Sequence, residues 1–203
     1  MPMFDSILFD FDGVLADTEP VHCLCWSEVL APEGVALDWG VYSERFVGID
    51  DREVLRILAA EAKPPREWAD FWALYPAKRE RFRSLVRTAP PFDPALGPFL
   101  QKLRQRYRLA VVSSSSSTEI EPILEAGGLR HHFETVVGGD HVKAHKPSPE
   151  AYLLGAERLG VKNPLVVEDS PAGQAAGRAA GFEVLMVPHP REVPALVSRR
   201  LAL

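Results

Sequence analysis

The sequence predicts an α/β protein: a parallel sheet interrupted, after its first strand, by an inserted helical domain. Three observations predict this. The short apolar run Ser6 to Phe9 stands alone, and from Thr18 to about Val86 every signal is helical. After Pro90-Pro91, short apolar runs alternate with helical patterns, the mark of repeated βα units and of a parallel sheet covered on both faces. With 203 residues, 46% of them hydrophobic, the chain can bury one sizeable core with a smaller insert and is too apolar to be disordered.

Ser6 to Phe9 reads as a buried strand and Asp10 to Asp17 as the loop that leaves it. The insert opens with Thr18 as an N-cap and Pro20 in the first turn, with Val21, Leu24, Trp26 and Val29 as apolar positions and Gly34 as a stop. Val54, Leu55, Leu58 and Ala62 form a second apolar stripe before Pro64-Pro65. Trp68, Phe71, Trp72 and Tyr75 form a third before Pro76, and Phe82, Leu85 and Val86 close a fourth. Aromatic stripes at helical spacing are the core of a small bundle. Residues 17–87 are therefore expected to be a helical domain, and 1–16 with 88–203 the α/β core.

In the core, a helix from Ala95 to Arg106 leads to the strand Leu109 to Val112. A helix then opens at Thr118, with Glu121 completing a capping box, and stops at Gly127-Gly128. The strand Thr135 to Val137 follows, then a helix with Ser148 as N-cap and Pro149 at its first position, running to Gly160. Leu165 to Val167 is the next strand. Ser170-Pro171 starts a helix whose small residues let it lie close to the sheet, and Phe182 to Val187 is the last strand.

Composition narrows the function classes. A formal charge of −5 argues against a nucleic-acid partner, since phosphate-backbone binding leaves a basic surplus. Cys23 and Cys25 are the only cysteines, and on a helix they point to different faces, which supports neither a disulfide framework nor a zinc site. No apolar run approaches membrane-spanning length, and there is no basic segment followed by an apolar core near Asp5. A cytoplasmic protein without membrane contact, monomeric or weakly dimeric, is expected.

The chemistry gathers at strand ends, where open α/β sheets bind ligands. Asp10 and Asp12 follow the first strand, and Gly13 lets the chain turn there. Two carboxylates held close need a cation or a shared proton. After the second strand comes the run Ser113 to Ser117, which composition alone marks as a linker. A hydroxyl and backbone N–H groups at that place, just before a helix, instead make a cradle for phosphate oxygens. Lys146, held between His145 and Pro147, can neutralise a phosphoryl oxygen, and Glu168 and Asp169 add two carboxylates after the fourth strand. Carboxylates for a hard cation, together with a hydroxyl and an ammonium for an anion, point to metal-assisted chemistry on a phosphate.

Asp10-x-Asp12-Gly13-Val14 with Asp17-Thr18, then Ser113, Lys146-Pro147 and Glu168-Asp169-Ser170 resemble, in order and spacing, the haloacid dehalogenase superfamily, in the β-phosphoglucomutase-like phosphatase branch with a helical cap. The resemblance implies a Rossmann-like parallel sheet with an inserted α-helical cap. It implies a Mg²⁺-dependent phosphatase for a small phosphorylated metabolite of the sugar or polyol class. Asp10 would be the nucleophile, forming an aspartyl-phosphate, and Asp12 the general acid and base. Asp10, the backbone carbonyl of Asp12 and Asp169 would hold Mg²⁺, with Glu168 supporting the site. Ser113, the Ser114 backbone and Lys146 would bind the phosphoryl group. A hexose-phosphate mutase using the same residues is the alternative, and a catalytically dead binding protein is disfavoured by the complete set. The roles are chemically coherent, because phosphate monoesters react slowly unless the charge on their equatorial oxygens is neutralised.

By the same resemblance, substrate choice lies in the cap, where His22, Gly48, Arg52 and Lys78 occupy positions that often meet the substrate or the hinge. The mutase branch usually carries Arg three residues after the cap glycine. Here that position is Asp51 and Arg52 follows it, which favours phosphatase over mutase. His145 replaces a small residue and has no assigned role.

Overall fold

The computed structural model describes residues 4–203. Its sheet has five parallel strands in the order β3-β2-β1-β4-β5, with β1 (Ser6–Phe9) at the centre. On one side lie β2 (Arg108–Val112) and β3 (Thr135–Val137), and on the other β4 (Pro164–Glu168) and β5 (Glu183–Met186). All four residues of β1 and all five of β4 are buried, which is why these strands read as continuous apolar runs rather than as alternating patterns. Leu8, Ala110, Val112 and Val166 pack with Tyr152, Ala156 and Leu159 from the helix α8 (Glu150–Leu159).

The chain divides into two compact units, 1–17 with 89–203, and 18–88. The second holds α1 (Glu19–Leu30), α2 (Trp39–Arg45), α3 (Asp51–Glu61), α4 (Trp68–Trp72) and α5 (Tyr75–Thr88). Its own core is built on Trp26, Leu30, Tyr42, Phe46, Val54, Leu55 and Phe71, with Trp68, Trp72 and Tyr75 packed against it. The aromatic stripes are thus core. The remaining helices of the first unit are α6 (Leu96–Leu103), α7 (Ser117–Ala126), α9 (Pro171–Ala179) and α10 (Val193–Leu201).

Several local expectations change. Leu24 is 46% exposed, because the buried face of α1 runs through Cys23, Trp26 and Leu30 instead. Thr18 precedes α1 in helical conformation and its side chain makes no cap. The capping box of α7 does not form, because the helix opens two residues earlier than expected: Ser116 is the N-cap, so Thr118 and Glu121 both lie inside the helix, and Glu121 pairs with Arg130 at 3.1 Å. Pro76 does not end a helix but lies in the first turn of α5, where a missing N–H costs nothing. The helix predicted after Ser148 opens at Glu150, one residue after Pro149. Helices α2 and α10 carry too few apolar positions to announce themselves, with only Tyr42 buried in α2 and only Val193 and Val197 in α10. Ser170 does cap α9, accepting from the Gly173 N–H.

Candidate active site

Parallel pairing sets the site. Phe9 lies level with Val111 on one side and Val167 on the other, so the residues that follow these strands leave the sheet at a common height. Asp10 follows β1 and donates its N–H to the Val167 carbonyl at 2.9 Å, Ser113 follows β2, and Glu168 ends β4. The chain reverses its direction of strand addition between β1 and β4, and crevices at such reversals are where α/β sheets bind ligands.

Lys146 reaches this point from the loop before α8. Its Nζ donates to Asp10 Oδ1 at 2.8 Å, to Glu168 Oε1 at 2.6 Å and to the Val112 carbonyl at 3.1 Å. The Lys146 side chain is 6% exposed and Glu168 is fully buried. Glu168 accepts at Oε1 also from the Tyr152 hydroxyl (2.8 Å), and at Oε2 from the Asp169 N–H, the Ser170 N–H and the Ser170 hydroxyl, each at 3.0 Å. Burial opposes its charge, yet Lys146 and these donors hold Glu168 below the usual carboxylate range. Burial also opposes charge on Lys146, and Asp10 and Glu168 outweigh it, so the ammonium is held charged.

Asp10, Glu168 and Asp169 can each place one oxygen within 4.8 Å of the others, the spacing of a metal centre. Three carboxylates share one ammonium, so negative charge is in excess. Burial pushes Asp10 up to about 8, with Glu168 and Asp12 adding to the rise and Lys146 opposing it. Burial and Glu168 push Asp169 up to about 7. A site that must otherwise hold protons to stay buried is matched to a hard divalent cation, and an all-oxygen donor set suits Mg²⁺. Asp10 and Asp169 fit as ligands. Glu168, with both oxygens taken by donors, fits as the group that positions Lys146 and the loop after β4. Gly13 belongs to the same construction: its φ is +72°, and a Cβ there would lie 2.0 Å from Asp169 Oδ2.

The serine run is a fixed turn. Ser113 is buried, and its Oγ accepts from the Ser115 N–H at 3.0 Å. Ser114 is exposed. Asp140 accepts from both the N–H and the hydroxyl of Ser117 at 2.7 Å. The Ser115 hydroxyl donates to Asp12 Oδ2 at 2.7 Å. Neither Ser115 nor Tyr152 was marked by sequence reasoning. Ser115 is masked by four identical neighbours, and Tyr152 reads as one more apolar position of a helix.

In the helical unit, Lys78 is 2% exposed. Its Nζ donates to Asp51 Oδ2 and meets His22 Nδ1, both at 2.8 Å, while Trp26 Nε1 donates to Asp51 Oδ1 at 2.7 Å. His22 stacks on Phe82 with ring centroids 4.2 Å apart. The structure thus brings His22 and Lys78 together around Asp51. Gly48 donates its N–H to Glu19 Oε1 at 3.1 Å, and Arg52 is exposed over the Trp72 ring at 5.0 Å.

The sequence matches the family described as haloacid dehalogenase-like hydrolase over residues 7–187. It is 35% identical over 186 residues to the fructose-1-phosphate phosphatase YqaB of Escherichia coli strain K12, covering 91% of this chain and 96% of that one. It is 33% identical to a phosphorylated carbohydrates phosphatase of Thermotoga maritima, covering 88% and 82% of the two chains. The crystal structure of CbbY from Rhodobacter sphaeroides in complex with phosphate is similar, with a TM-score of 0.69 at 30% identity, covering 91% of this chain and 86% of that one. With the five-stranded parallel sheet, the helical region between β1 and β2 and the acidic cluster already described, these likenesses agree. The chain belongs to the haloacid dehalogenase-like hydrolases, as a phosphatase close to the β-phosphoglucomutase-like, CbbY and YqaB group.

Proposed function

We propose that this protein is a Mg²⁺-dependent phosphatase of a phosphorylated sugar or polyol, working through an aspartyl-phosphate on Asp10 with Asp12 as general acid and base. The observation that carries it is the buried Asp10 carboxylate 2.8 Å from the Lys146 ammonium, beside Asp169. Asp10 and Asp169, with the Asp12 carbonyl, would hold Mg²⁺, which supplies charge neutralisation at the phosphoryl oxygens. Lys146, fixed by Glu168, draws the phosphoryl group toward Asp10, and Ser113 with the Ser114 backbone binds its remaining oxygens. An Asp10 oxygen attacks phosphorus while Asp12 delivers its proton to the departing ester oxygen. Asp12 then takes a proton from the water that displaces Asp10.

The sugar class is supported by what the similar proteins are named for, fructose 1-phosphate in one and phosphorylated carbohydrates in another. Hydrolysis rather than mutase chemistry is supported by Asp51, which engages Lys78 where the mutase branch carries an arginine. His22, Gly48, Arg52 and Lys78 are the proposed substrate-selecting residues of the cap. A cytoplasmic setting is supported by two buried, unpaired cysteines, and no helix among the described residues is long and apolar enough to cross a membrane.

The test is phosphate release from a panel of sugar, polyol and short-chain phosphates, with Mg²⁺ and with chelator, against Asp10→Asn as control. Mg²⁺-dependent release that vanishes in the variant is expected. Interconversion of a hexose 1-phosphate and 6-phosphate without net release would replace the proposal with mutase activity.

A further inference from the structure

We propose that Ser115 is a positioning residue for this reaction: its hydroxyl orients the Asp12 carboxylate that carries the proton to and from the substrate oxygen. The inference rests on the assignment of Asp12 as acid and base. Ser115 Oγ donates to Asp12 Oδ2 at 2.7 Å, joining the loops after β1 and β2 across 103 positions of sequence. The Ser115 backbone is held at both its polar groups. Its N–H donates to Ser113 Oγ at 3.0 Å, and its carbonyl accepts the Gly139 N–H at 2.9 Å. Two residues on, Asp140 clamps the N–H and hydroxyl of Ser117 at 2.7 Å. The hydroxyl is therefore delivered from a rigid point, which is what a donor must have to set the rotation of a carboxylate.

Asp12 is partly buried and stands just before the turn made by Gly13, with its Oδ2 on the Ser115 hydroxyl. Proton delivery tolerates little misplacement, and a displacement of about 1 Å can cost on the order of 100-fold in rate. In the first displacement the O–P bond to Asp10 forms, the ester P–O bond breaks and the proton of Asp12 goes to the leaving oxygen. In the second, a water oxygen bonds phosphorus, the Asp10–P bond breaks and Asp12 takes the water proton. Ser115 gives up no proton in either. It holds Asp12 at one angle for both.

The dependence on leaving group tests this. An alkoxide needs its proton as it departs, whereas p-nitrophenolate leaves without one, and kcat/KM reports the steps up to that departure. Ser115→Ala is expected to lower kcat/KM for the preferred sugar phosphate at least about 10-fold and for p-nitrophenyl phosphate less than about 3-fold. Ser115→Thr, which keeps the hydroxyl, should restore most of the loss. Asp12→Ala should show the same bias more strongly. Folding is followed by thermal melting, and Ser115→Cys, close in volume and a weak donor, stands in if the alanine variant melts early. Equal losses on both esters in the Ser115 variants, or no loss, with Asp12→Ala still selective, would overturn the role of Ser115 and leave that of Asp12 intact. Equal losses in Asp12→Ala would overturn the acid–base assignment and this proposal with it.

Discussion

Lys146 is the residue through which the site's charges are joined, because its ammonium is shared by Asp10 and Glu168 and capped by a backbone carbonyl. Removing it leaves Glu168 buried with its ionic partner gone. Lys146→Met is therefore expected to destabilise the fold by about 3 kcal/mol, read by denaturant unfolding, and Glu168→Gln in the same chain should recover part of it. Asp10 behaves oppositely. Burial already works against its charge, so Asp10→Asn should abolish turnover, by at least about 1,000-fold, while the melting temperature in chelator stays level or rises. A variant that kept its activity would contradict the covalent route.

At the scale of elements, the turn after β1 and the start of α9 are shaped by the carboxylates they approach. At Gly173, in the first turn of α9, a Cβ would fall 1.6 Å from Glu168 Oε1, so the helix can meet this carboxylate only without a side chain. The N-cap of α9, Ser170, also donates its N–H and its hydroxyl to Glu168, at the positive end of the helix dipole. Gly173→Ala is expected to destabilise by about 1–3 kcal/mol through overpacking, measured by chemical unfolding, and to weaken Mg²⁺-supported activity as Glu168 and Lys146 shift. Caps show the opposite lesson. Ser170 needs only its neighbours to cap α9, and does so. Thr118 and Glu121 have capping-box spacing, but α7 starts at Ser117, so both fall inside the helix and Glu121 pairs with Arg130 instead.

For the whole molecule, the site ties stability to pH and metal. Burial pushes Asp10 up to about 8 and Asp169 up to about 7, above the 3.8 of a free aspartate. Their favourable contribution to the metal-free fold is complete below about pH 4 and is lost as pH rises through about 7 to 8. Over the same interval the carboxylates become free of protons for a cation. The rise in melting temperature on adding Mg²⁺ to chelator-treated protein should therefore be small at pH 5.5 and large at pH 8.5. In Asp10→Asn this pH dependence should shrink. A Mg²⁺ effect independent of pH would argue against a cation at Asp10 and Asp169.

The parallel sheet, the helical insert and the ends of the strands were legible in the sequence by itself, because these depend on local periodicity. Buried strands must be apolar throughout, and the residue after each must leave the sheet. Asp10, Ser113, Lys146, Glu168 and Asp169 stand out for that reason: each is polar at the edge of an apolar run or beside a proline that precedes a helix. The tertiary structure alone decided who pairs with whom. Lys146 and Asp10 are 136 positions apart, and Ser115 and Asp12 are 103 apart. It also decided that Glu168 has its oxygens taken by protein donors, and that Lys78, expected to meet the substrate or the hinge, is buried against Asp51 and His22. Patterns along a chain report which face is apolar, but a hydrogen bond between distant residues depends on distances that only the packed fold sets.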